Sequence, residues 1–275
     1  MAVESVTEAA MNWGTVSGAS MVGMVISLLL SVGLPIFLGV FIYKKTRAWV
    51  PAFFIGCGIF VGFAMILEQI CHAIMLTVSG SVIRENIWLY AIYGGLAAAL
   101  FEECGRWIAM KFFLKKHLTR ENALMYGAGH GGIEAFLILG MSSMSNLLTA
   151  AMINGGLMEK TMTALEPAQQ EVTYHQLSVL WTTPAYQFYL APVERISAIA
   201  LQIALSILVY SAVKTGRKLQ LAAAFGLHFA VDFLSVGCAS TIPTWALELG
   251  LLLVVAVICV VVYKLVYLSL AEKKA

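Results

Sequence analysis

A chain of 275 residues that is 60% apolar, only 12% charged and has a mean hydropathy of +0.87 carries more apolar surface than a soluble domain of that length can bury, so a soluble fold is excluded. The net charge is only +2, and the basic residues sit in short clusters at the ends of apolar runs, which argues against a nucleic-acid-binding protein. Cys57, Cys71, Cys104, Cys238 and Cys259 form no C-x-x-C pair, so neither a disulfide framework nor a cysteine-rich zinc site is indicated.

The N-terminus carries Glu4 and Glu8 and no Lys or Arg before the first apolar run, the wrong charge for a cleavable signal peptide, and the first helix is expected to stay. A hydrocarbon core of about 30 Å needs about 20 apolar residues per helix. Seven runs qualify: roughly 19–43, 51–79, 87–113, 122–154, 188–213, 219–237 and 244–270, the fourth with a candidate break at the serine-rich "MSSMSN". The reading is an all-α integral membrane protein, one polytopic domain over 1–275, with a catalytic core at about 87–237.

Charge orients the spans. Lys44, Lys45 and Arg47 follow the first run; Lys111, Lys115, Lys116 and Arg120 lie between the third and fourth; Lys214, Arg217 and Lys218 lie between the fifth and sixth; Lys264, Lys273 and Lys274 close the chain. These 13 of the 17 basic residues share one side, so the positive-inside rule predicts the N-terminus outside and the C-terminus cytoplasmic. The polar stretch at about 155–187 is then extracytoplasmic, either an amphipathic segment along the interface or an ordinary loop.

The chemistry must lie in side chains that a bilayer excludes, because an ionisable group at the centre of a span costs about 2.5–3.5 kcal/mol on insertion scales. On the third span, "FEECGR" sets Glu102 four and Glu103 three residues before Arg106, spacings at which the guanidinium can hold a carboxylate. On the fourth, "GAGHGGIEA" puts His130 and Glu134 one turn apart, and on the sixth "FGLHFAVDF" does the same with His228 and Asp232. Glu103 is eight residues from Lys111, His130 ten from Arg120 and His228 ten from Lys218. At about 1.5 Å per residue all three lie roughly 12–15 Å from the cytoplasmic boundary. Gly127, Gly129, Gly131 and Gly132 remove bulk around His130, letting a neighbouring helix or a substrate backbone come close. Glu68 with His72, and Glu194 with Arg195, fall 19–21 residues from the cytoplasmic flank and are expected to form structural pairs near the outer boundary, Arg195 meeting Glu68 or His72.

Paired glutamates with a basic residue on one span, an aromatic-x-x-x-His or -Glu on the next and a later His-x-x-x-Asn/Asp resemble the glutamate-dependent intramembrane proteases. That superfamily includes the CAAX prenyl endopeptidases and the PrsW-type proteases, and the sequence is most similar to the bacterial YhfC family within it. The matching positions are Glu102, Glu103 and Arg106; Tyr126 with His130, and Glu134; and His228 with Asp232. Only Cys104 and Gly105 separate the glutamates from the arginine, a PrsW-like spacing, and the second motif aligns on either His130 or Glu134.

The resemblance implies a multi-pass protein of the bacterial plasma membrane that cleaves membrane-anchored, prenylated or otherwise hydrophobic peptides. It also implies that one glutamate and His130 activate a water while His228 and Asp232 stabilise the oxyanion. Those roles are chemically sound, since a carboxylate is a competent general base and imidazole donors can meet a developing oxyanion. No cofactor is expected: Arg106 beside the glutamates would repel a divalent cation. The alternatives are a zinc protease using Glu103, His130 and His228, a transporter or channel for protons or metal ions, and an inactive relative.

Overall fold

A computed structural model describes residues 11–270; Glu4, Glu8, Lys273 and Lys274, used above for topology, lie outside the described residues. The described chain is helical, and seven helices are long and apolar enough to cross a membrane. They are α1 (Gly18–Thr46), α2 (Pro51–Glu85), α3 (Ile87–Phe113), α4 (Arg120–Asn154), α7 (Ala185–Thr215), α8 (Lys218–Gly237) and α9 (Thr244–Tyr267). Two short helices, α5 (Leu157–Met162) and α6 (Pro167–Thr182), occupy the polar stretch between α4 and α7, so that stretch is folded rather than an open loop.

Local chemistry marks the helix ends. Ser17, Asn86 and Thr119 cap α1, α3 and α4 by accepting hydrogen bonds from first-turn N–H groups. Pro51 and Pro167 open α2 and α6, where a missing N–H costs nothing. Gly216, at φ 73, ends α7 in the left-handed conformation that glycine adopts most readily. The candidate break at "MSSMSN" does not occur: α4 runs through it, with a π-helical turn at Phe136–Gly140 just before it. A second π-helical stretch, Val61–Glu68, lies within α2 and ends on a glutamate.

Helix α7 is the axis of the bundle. Of its apolar window 72% is buried, against 33% or less in the other six spans, and Ala204 through Ala212 are buried at every position. A helix apolar on all sides belongs in the centre of a bundle. The glycines of α4 are packing devices: a Cβ on Gly129 would sit 1.9 Å from the Phe53 carbonyl oxygen, and one on Gly56 would sit 2.2 Å from that of Tyr126. Helices α2 and α4 therefore meet backbone to backbone. Gly127 and Gly131 face Ile203 and Ile199 of α7 and Gly132 faces Pro35 of α1, so neighbouring helices, not a substrate, fill the room around His130. This packing holds the imidazole wholly buried.

Candidate active site

Five helices deliver the polar groups to one place. From α3, Glu102, Glu103 and Arg106 point inward and are buried; α4 adds His130 and Glu134, α7 adds Arg195 and Gln202, α8 adds His228 and Asp232, and α2 adds Glu68. The seven predicted site residues thus converge, as the shared depth of three of them suggested.

The two adjacent glutamates serve different partners. Glu103 Oε1 accepts from Arg106 at 2.5 Å and from His228 Nδ1 at 2.8 Å. Glu102 Oε2 instead accepts from His130 Nε2 at 2.8 Å, and from Gln202 Nε2 at 2.9 Å. Sequence left open which glutamate stands with His130; in the structure it is Glu102, not Glu103. Consecutive side chains on a helix diverge by about 100°, so the two carboxylates make their close hydrogen bonds to different histidines.

His228 is oriented by Glu103 through Nδ1. Its Nε2 is left 3.5 Å from Asp232 and 3.9 Å from Glu102. Asp232 is the most open member, with 34% of its side chain exposed against 11% or less for Glu102, His130, Glu134 and His228.

Gln202, which no charge in the sequence advertises, joins the two halves of the network. Its Nε2 donates to Glu102 Oε2 at 2.9 Å and to Glu134 Oε2 at 2.8 Å, while its Oε1 accepts from Arg106. Arg106 makes its close ion pair with Glu103 and stays 4.0 Å from Glu102. The outer-layer expectation also changes. Glu68 pairs with His72 at 3.2 Å, but Arg195 bonds Glu194 and reaches Glu134 Oε1 at 3.1 Å, meeting neither Glu68 nor His72.

A cavity of about 310 Å³ opens beside these groups, lined by Glu102, Glu134, Gln202, His228 and Asp232, and farther out by Glu68, Glu194, Arg195 and Glu248. Residues read as a structural outer layer are thus walls of the cavity.

Glu102, His130 and Glu134 offer donor atoms that all lie within 4.8 Å of one another. Imidazole nitrogen with carboxylate oxygens is a usual donor set for zinc, and three protein ligands leave a further position open. The donor set passes two structural checks. The Tyr126 hydroxyl lies 3.4 Å from His130 Nδ1 and holds the ring from behind, as groups beyond the ligands commonly do. The Gln202 amide bridging Glu102 and Glu134 is an electropositive group standing between two carboxylates, as a cation would. The arginine objection is weakened because the guanidinium pairs with Glu103 and Gln202, although it stays 4.0 Å from Glu102. The metal set drawn from sequence, Glu103, His130 and His228, is not the one brought together, since Glu103 is engaged with Arg106 and His228.

The family model described as YhfC intramembrane metalloprotease matches residues 30–259. The chain belongs to the YhfC family. A relative from Bacillus subtilis (strain 168), described as the uncharacterized membrane protein YhfC, is 41% identical over 222 residues, which cover 78% of this chain and 83% of the relative. No solved structure matches the chain. For this YhfC-family chain the expectation of a site that needs no metal finds no support: the family description names metalloproteases, and the buried triad has the chemistry to hold an ion.

Proposed function

We propose that this protein is a metal-dependent membrane peptidase that hydrolyses peptide bonds of membrane-anchored proteins, with Glu102, His130 and Glu134 holding a divalent ion such as zinc. The observation that carries the reading is the convergence of those three donors beside a cavity that Glu102 and Glu134 line, with Tyr126 behind the His130 ring and Gln202 bridging the two carboxylates. An ion held there would supply Lewis acidity to the scissile carbonyl and make water a better nucleophile.

The remaining roles belong to the protein's own groups. Glu103 fixes the His228 ring through Nδ1, so that in the imidazolium form, with a proton on both ring nitrogens, the Nε2–H would donate to the carbonyl oxygen as negative charge develops on it. Asp232, the carboxylate beside His228 that is not needed to hold an ion, takes the proton from the attacking water and returns it to the leaving amine. Arg195 pins Glu134 through Oε1. Arg106 and Gln202 fix the glutamates in place, so that little reorganisation is needed during the reaction.

The test combines elemental analysis of purified protein with cleavage of a pool of membrane-anchored peptides before and after exhaustive chelation. About one zinc per chain, lost together with activity and restored by added zinc, is the expected result. Full activity with no metal would overturn the metal assignment and favour Glu102 and His130 acting directly on water. A metal-loaded protein that cleaves nothing in the pool, while its ion moves across the membrane in vesicles, would favour a transporter.

A further inference from the structure

The cavity is asymmetric along the membrane normal. Every spanning helix that lines it has a basic flank at one end: Arg47 before α2, Lys111 on α3, Arg120 on α4, Lys214 on α7, Lys218 on α8 and Lys264 on α9. Counted from those flanks, the nearest lining residues are Glu102 and Val255, each nine residues away, followed by His228 at ten. The farthest are Gln69 at twenty-two and Glu68 at twenty-one, followed by Glu194 at twenty. At about 1.5 Å per residue the cavity therefore runs from roughly 13 Å to roughly 33 Å above the basic side, from mid-membrane to the opposite boundary of a core about 30 Å thick.

Toward the basic side a separate pocket opens between α3 and α8, lined by Glu103, Cys104, Trp107, Lys218 and Phe225, but it shares no lining residue with this cavity, and the α3–α4–α7 wall between the cavity and the basic ends is packed. Ala109, Met110, Leu114, Ala123, Met125 and Tyr126 are each at most 1% exposed and form one packed cluster with the buried face of α7. On the opposite side the covering segment leans away from the mouth. Leu180 of α6 packs with Val16, Met24, Ala150 and Ile153, on the α1–α4 flank, and no residue of 155–187 lines the cavity.

We infer that the site takes its peptide from the face of the membrane opposite the basic helix ends. By the positive-inside rule that is the extracytoplasmic face, so the substrates are membrane-anchored proteins whose cleavable segment lies in or above the outer leaflet. Prenylated tails on cytoplasmic proteins would approach from the side on which this cavity has no mouth. The word substrate rests on the peptidase reading; the access route does not.

The route is testable without catalysis. Ser235 lines the cavity seventeen residues from Lys218, and Ser235→Cys is nearly isosteric. Lys116→Cys in the basic connection and Gln170→Cys on α6 are reference positions for the two faces. Right-side-out and inverted vesicles are treated with a membrane-impermeant maleimide, and adducts are located by mass spectrometry so that the native cysteines can stay. The inference expects position 235 to label in the vesicles in which 170 labels, at least tenfold faster than in those in which 116 labels. Labelling with 116, or no labelling of 235 while both reference positions react, would overturn it. Because no turnover is read, failure of the peptidase reading leaves this result intact, and failure of the access route leaves zinc content and cleavage untouched. If Ser235→Cys does not fold, Glu248→Cys at the α9 wall of the same cavity takes its place.

Discussion

The half of the bundle near the basic helix ends and the half beyond it are built on opposite terms. In the first, Tyr126, Met125, Met110 and Leu205 are each at most 1% exposed, and glycines bring α2 and α4 into backbone contact. In the second, carboxylates from α2, α3, α4, α7, α8 and α9 face a cavity. In a bilayer the first arrangement is held by close van der Waals packing, because lipid is as apolar as leucine and gives no hydrophobic drive between helices. The second is costly and persists only where the packed half fixes its geometry. Substitutions in the two halves should therefore fail differently, one by loss of the fold and the other by loss of chemistry in a folded protein.

The largest effect should come from the packed half. Gly129→Val sets branched carbon where a Cβ alone would lie 1.9 Å from the Phe53 carbonyl oxygen, so α2 and α4 must separate. Detergent-solubilised protein should then be absent or aggregated on size exclusion. Recovery of stable, zinc-binding protein would break the comparison at its foundation. In the cavity half, His130→Ala should abolish both zinc retention and cleavage while the folded fraction survives, read by elemental analysis beside a thermal melt. Asp232→Asn should keep the metal and lose about 10²–10⁴-fold in kcat, the usual contribution of a positioned acid–base group. Loss of zinc in that variant would make Asp232 a ligand rather than a proton carrier.

How much of this was legible in the sequence follows from the same energetics. The seven spans are evident because apolar runs of the required length have few other uses. The motif residues stand out because charge inside a span is rare. Which glutamate faces His130 was hidden, since Glu102 and Glu103 are neighbours and the choice depends on the rotation of α3, which packing sets. Arg195 was misplaced for another reason: its distance from the flank is right, but depth alone does not reveal that the cavity extends that far. Gln202 gave no signal, because a neutral amide in "ALQIALS" passes for a tolerated polar residue.

Gln202 also supplies the smallest and most discriminating prediction, because it lies where the two halves meet. Arg106, wholly buried, belongs to the packed half and Glu134 to the cavity; the amide holds one with its oxygen and the other with its nitrogen. Without it, Arg106, already 4.0 Å from Glu102, can close on that carboxylate and take the negative charge that would hold an ion. Gln202→Met preserves most of the volume while removing donor and acceptor. The expected consequence is a 10–100-fold weaker zinc affinity, the range measured when a group bracing a metal ligand is removed. It is read by competition against a chelator of known strength, and cobalt loaded in place of zinc should show an altered visible spectrum, because the two carboxylates are no longer held in register. An unchanged affinity and spectrum in a well-folded Gln202→Met variant would mean that the guanidinium is kept from the site by Glu103 alone, and the boundary between the packed and the reactive half would then run through the Arg106–Glu103 pair instead.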